Sequence, residues 1–172
     1  MSEPAPEFSR LVPLAQVGAE PFRRRIEATA QERERLSRRF DLSSLDRLIA
    51  EVVLRRQSAG VIFLEAEIEA EFEQCCAVTL DPVRSEVSDH FSLVYGPPTA
   101  EEPEIALSSD EPAFEPLVGD DIDIGEAVAQ ELSLALPVFP RHPDAVVDGV
   151  SQAEQWDGPF AALANRRKDG GC

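Results

Sequence analysis

Leu64, Ala66, Ile68, Ala70 and Phe72 alternate with Glu65, Glu67, Glu69, Glu71 and Glu73. A period of two puts the apolar set on one face of a strand and the carboxylates on the other. Alanine and glutamate alone favour helix. A helix, however, would scatter these glutamates around its circumference, so the alternation predicts a half-buried strand over 61–73. Residues 47–56 alternate likewise, with Leu48, Ala50, Val52 and Leu54 on one face. The two segments are expected to form a hairpin closed by Ser58-Ala59-Gly60, with Gly60 left-handed and Gln57 opposite Val61. That register sets Leu54 against Leu64, Val52 against Ala66, Ala50 against Ile68, Leu48 against Ala70 and Arg47 against Glu71. A loop one residue shorter or longer would put charges opposite the apolar row.

Further elements flank this hairpin. Residues 7–14 read as a short strand ending at Pro13-Leu14, and residues 29–40 as a helix. Thr29 is the expected cap of that helix, with Glu32 completing a capping box and Leu36 and Phe40 on its buried side. A third strand is expected over 84–95, carrying Val87, Phe91 and Leu93. Residues 96–113, rich in proline and acid, read as a mobile loop. A second helix is predicted over about 124–136. Asp123 would be its N-cap and Glu126 the reciprocal capping-box residue. Ile124, Val128, Leu132, Ala135 and Leu136 would form its apolar stripe, and Pro137 its end. Residues 138–172 read as extended or disordered, apart from a short apolar motif at Phe160–Leu163 beside Arg166, Arg167 and Lys168. The pattern predicts an α+β fold: an antiparallel β-sheet of three or more strands, packed by one or two helices, with disordered termini and an acidic loop.

Charge sharpens the picture. The 172-residue chain has 33 acidic and 16 basic side chains, a net charge of −17. Residues 1–56 carry 11 Arg against 9 acids, whereas residues 65–136 carry Arg84 against 19 acids. Duplex DNA is excluded as the main partner, because affinity for phosphate backbones comes from Lys and Arg; a basic partner is favoured. The chain begins with neither a cationic start nor an apolar stretch, and no apolar run approaches the ~20 residues that span a bilayer. No membrane association and a cytoplasmic location are expected. Three cysteines, two of them adjacent, make no disulfide framework.

Little in the sequence suggests catalysis. Cys75, Cys76, Cys172, His90 and His142 are scattered without zinc-ligand spacing, so no metal is expected, and the ordinary reading of Cys76 is a small buried apolar residue. Neither histidine sits beside a nucleophile in a recognisable motif. Asp121 and Asp123 could suggest Mg²⁺, but capping already explains Asp123. No phosphate-binding or dinucleotide-binding fingerprint occurs, and no cofactor is expected. Glu65, Glu67, Glu69, Glu71 and Glu73 read as a partner-facing acidic surface. The alternative interface is basic: Arg23, Arg24, Arg25, Arg35, Arg38 and Arg39, on or near the first helix, could contact RNA phosphates. Interleaved glutamates and missing stacking aromatics weigh against it. A cryptic hydrolase is the third reading; a pocket with convergent polar groups would be its signature.

Four segments, in order, carry a resemblance. They are Cys76-Ala-Val-Thr-Leu-Asp-Pro-Val83, Gly119-Asp-Asp-Ile-Asp-Ile-Gly-Glu-Ala-Val-Ala-Gln-Glu-Leu132, Leu134-Ala-Leu-Pro-Val-Phe-Pro-Arg-His-Pro143 and Pro159-Phe-Ala-Ala-Leu163. Over roughly 7–165 the chain resembles the YceD family, and its arginine-rich front half, with Glu32-Arg33-Glu34 ahead of Leu36, is similar to the alphaproteobacterial branch. The resemblance implies a single YceD-like domain over 7–143 and a mostly disordered tail over 144–172. It implies a non-enzymatic ribosome biogenesis role in accumulation of large-subunit (23S) rRNA, without catalytic residues. Family genes often neighbour one for a small basic large-subunit ribosomal protein. The expected partner is therefore a basic ribosomal protein or the pre-ribosomal large subunit, held by the glutamate row and the loop near Glu101–Glu104, with rRNA as the alternative. Many relatives have Cys-x-x-Cys where this chain has Cys76-Ala77-Val78-Thr79, and some carry further cysteines where it has Val138-Phe-Pro-Arg-His. A metal role of those relatives does not carry over.

Overall fold

The alternating segments pair as their apolar rows require. A computed structural model describes residues 6–57, 60–97 and 112–145. In it, β3 (Ser44–Arg56) and β4 (Ile62–Cys75) form an antiparallel pair with Leu54↔Leu64, Val52↔Ala66, Ala50↔Ile68, Leu48↔Ala70 and Arg47↔Glu71. The Gln57 N–H donates to the Val61 carbonyl at 2.8 Å, and Gly60 has φ +79°, the left-handed region glycine tolerates. Ser58 and Ala59 lie outside the described residues.

Five strands make one sheet in the order β2 (Phe22–Glu27), β3, β4, β5 (Pro82–Gly96), β6 (Ala113–Pro116), and β1 (Leu11–Pro13) pairs with β7 (Asp121–Asp123) in a separate two-stranded sheet. β5 (Pro82–Gly96) extends the hairpin antiparallel to β4. Every inward position of β4, from Ile62 to Phe72, is at most 2% exposed. Leu36 of α1 (Ala30–Arg39) and Ile124, Val128 and Leu132 of α2 (Ile124–Ala135) pack into the same core. Both helices share the core of one sheet face and leave the glutamate-bearing face open.

Several expectations are corrected. The strand expected over 7–14 is only Leu11–Pro13; a 3₁₀ turn, Leu14–Gln16, follows, and Phe8 is fully buried. Residues Phe22–Glu27, which carry no apolar alternation, form the edge strand β2 against β3. Pairing with β3 overrides the missing pattern, because an edge strand needs only occasional apolar residues, here Phe22 and Ile26. β3 starts at Ser44 and not 47, with an irregularity between Leu45 and Arg47. At the end of the loop expected over 96–113, where no strand is expected, Ala113–Pro116 forms β6, which pairs parallel with β5; the sheet is therefore not wholly antiparallel. Residues 98–111, including Glu101–Glu104, lie outside the described residues, as do 146–172 with Phe160–Leu163.

The helix caps divide. Thr29 and Glu32 make the expected capping box: the Thr29 N–H donates to Glu32 Oε2 at 2.8 Å and the Glu32 N–H to Thr29 Oγ1 at 3.3 Å. Asp123 caps α2 by accepting from the N–H groups of Gly125 and Glu126 at 3.1 and 3.2 Å. Glu126 does not return the bond. Its carboxylate accepts from Arg39 at 2.8 Å and from Gln130 at 3.1 Å, so a salt bridge between the helices displaces the box.

Candidate functional site: the open sheet face

Because the pleat alternates, Glu65, Glu67, Glu69, Glu71 and Glu73 all project from the outer face of β4, each half-buried or exposed. β4 lies at the centre of the five strands, so both neighbours contribute to this surface. From β3 come Arg47, Ile49, Glu51, Val53 and Arg55; from β5, opposite the glutamates, come Ser92, His90, Ser88, Glu86 and Arg84. β2 adds Arg23 opposite Val53 and Arg25 opposite Glu51.

The carboxylates are not a bare wall. Arg47 donates to Glu69 at 2.8 Å and to Glu71 at 3.4 Å, bridging two adjacent positions of the row. Arg55 donates to Glu65. Arg25 lies 4.0 Å from Glu51. Arg84, opposite Glu73, is engaged by Asp46 at 2.6 Å. Among the described residues Glu67 and Glu73 have no cation within 4.0 Å, and Glu67 faces His90. A depression of about 310 Å³ lies here, lined by Glu51, Glu65, Glu67, His90, Arg23 and Arg55. The surface is thus a cross-strand ladder in which Arg47 sits between two successive carboxylates, Glu69 and Glu71, and Arg55 pairs with a third, Glu65. Such exposed pairs contribute little to stability, about 0–1 kcal/mol each, and can exchange partners at small cost.

The six arginines of the basic alternative do not gather. Arg23 and Arg25 stand on the open face, and Arg24, opposite Val52, faces the other way. α1, which carries Arg35, Arg38 and Arg39, packs through Leu36 into the core on the opposite side of the sheet. Arg38 is paired with Glu34, and Arg39 with Glu126 at 2.8 Å and Glu7 at 2.9 Å. These carboxylates raise the Arg39 pKa, Glu126 most strongly. Arg23, Arg24 and Arg35 form no ion pair among the described residues.

Cys75 and Cys76 fall on opposite faces, exposed and buried respectively. The Cys76 sulfur accepts N–H groups from Val78, Thr79 and His142, each at 3.4 Å. These donors, His142 first and Thr79 next, pull the thiol down to about 6. A buried apolar residue is therefore an incomplete description of Cys76: its sulfur ties the β4–β5 turn to the segment leaving α2. The close spacing of Cys76 and Thr79 was the sequence signal for this turn; the reach of His142, 66 residues away, left none. Among the described residues no three His, Cys, Asp or Glu side chains group to hold a metal ion, and no helix is long and apolar enough to cross a membrane.

A sheet with helices on one face and a charged second face that no element of the described residues covers defines an α+β protein. Residues 64–165 match the family model described as large ribosomal RNA subunit accumulation protein YceD. The chain belongs to the YceD family, whose name places its members in the accumulation of large-subunit ribosomal RNA. No curated protein and no solved structure matches the chain.

Proposed function

We propose that this protein is a non-catalytic, cytoplasmic factor in large-subunit maturation that holds a basic ribosomal protein, free or on the pre-ribosomal large subunit. Glu65, Glu67, Glu69, Glu71 and Glu73 are the holding residues. The observation that carries this reading is Arg47 bridging Glu69 and Glu71 on a sheet face left open among the described residues. The spacing of the row fits guanidinium groups, so an arginine-rich segment could replace the chain's own arginines and add contacts at Glu67 and Glu73. Complementary charge would speed encounter and make binding salt-sensitive. The family's link to large-subunit RNA supplies the biological setting.

The test is a pull-down of purified large-subunit ribosomal proteins at low and high salt. Glu67→Lys with Glu69→Lys and Glu71→Lys should lower retention at low salt by roughly tenfold or more, the size expected when like charges replace complementary ones. Unchanged retention would reject the acidic face as the holding site. Depletion of the protein should lower 23S rRNA and large subunits on sedimentation; normal subunits would reject the biogenesis role. A second reading, direct rRNA contact, is favoured by the unpaired state of Arg23, Arg24 and Arg35. Gel shifts with Arg23→Ala, Arg24→Ala and Arg25→Ala separate the two readings, since only RNA binding would weaken.

A further inference from the structure

Four of the seven large apolar side chains that are exposed among the described residues lie on one corner: Leu80 at 76%, Leu134 at 78%, Val138 at 82% and Phe139 at 76%. The corner is where the β4–β5 turn meets the chain leaving α2. The Ala77 N–H donates to the Pro140 carbonyl at 2.8 Å, and the Gln74 side chain donates to the Pro137 carbonyl at 3.3 Å. A groove of about 610 Å³ opens beside this seam, between Phe40 and Leu42 after α1, Gln74 and Cys75 at the end of β4, and Leu136 and Val138 after α2. Its wall holds Gln74 Oε1, a buried acceptor that has no partner among the described residues.

We infer that the groove is the seat of the chain's own segment Phe160–Leu163. The described backbone ends at Ala145, a few residues past Pro140 on the groove's edge. The 14 residues from 146 to 159 can span roughly 50 Å, ample for a return to the groove. The family match does not stop at the last described residue; it runs on to 165 and so takes in this segment as part of the shared unit. Phe160 and Leu163, three apart in the sequence, supply the apolar side chains for a groove whose lining includes Phe40, Leu42, Leu136 and Val138. Arg166, Arg167 and Lys168 follow, and the body they would rest against carries one base against 19 acids over 65–136.

Cys75, exposed and in the groove wall, makes the test direct. In the full chain carrying Cys172→Ser, Ala162→Cys should form an intramolecular disulfide with Cys75 under mild oxidation. Its rate should exceed that of Ala153→Cys, which has a shorter tether, by roughly tenfold, because a seated segment has a higher effective concentration than a free tether supplies. Adding Phe160→Ser and Leu163→Ser should return the rate to the control value. Equal rates for the two cysteines, a rate indifferent to the serine changes, or a crosslink between two copies would each overturn the assignment.

Discussion

Four hydrogen bonds converge on the Asp123 carboxylate. It accepts from the Ser9 hydroxyl at 2.5 Å, the Arg10 N–H at 2.7 Å and the first N–H groups of α2. Capping was legible from the sequence; the grip on Ser9 and Arg10, more than a hundred residues away, was not, because no local pattern encodes a long-range bond. Next to it, a Cβ on Gly125 would stand 2.5 Å from the Phe8 carbonyl oxygen. Neither backbone can yield freely, so Gly125→Ala should lower the unfolding free energy by about 1–3 kcal/mol in urea titration. Glu32 offers a pH readout. Hydrogen bonding from Arg10, at 2.7 and 2.9 Å, is the main force holding its carboxyl at about 2, below the usual carboxylate range. A carboxyl lowered on folding stabilises the native state above its unfolded value, and that contribution fades as pH falls from about 4.5 toward 2. Between those limits the wild type should lose more stability than Glu32→Gln, as measured by urea midpoints across the pH series.

At the scale of elements, the sequence was clearest where a period of two or of 3.6 had room to repeat. The register of β3 on β4 could be read residue by residue because a one-residue slip would invert a whole apolar face. β2 and β6 were not legible. β2 is dominated by Arg23-Arg24-Arg25, and β6 (Ala-Phe-Glu-Pro) is exposed throughout; both are edge strands defined by what they pair with. The glutamate row was legible as a face, but its neutralisation by Arg47 and Arg55 depended on the neighbouring strand's register. The two helices meet through Arg39, Glu126 and Glu7. A double-mutant cycle on Arg39→Ala and Glu126→Ala should give a coupling of about 0.5–1 kcal/mol, the range for a partly exposed pair.

For the whole molecule, the sign of the charge along the sequence does not map onto separate regions in space. The basic front half supplies β2 and β3, which lie beside the acidic β4, so the polarity read from the sequence becomes an interleaved surface. Charge complementarity within the chain is one reason that a net charge of −17 remains compatible with a folded state. The pairing of β1 with β7 has a further consequence, for the order of events during synthesis. Residues 11–13 emerge from the ribosome first, but their partners, residues 121–123, are made more than a hundred residues later. The meander β2–β5 can close on near neighbours while β1 waits for β7, so β1 is made before these strands and fixed after them. Pulsed hydrogen exchange during refolding should protect the amides of β3 and β4 before those of Leu11 and Val12. A nascent chain stalled before residue 121 should leave Phe8 open to protease, in a protein whose own task concerns the machine that is making it.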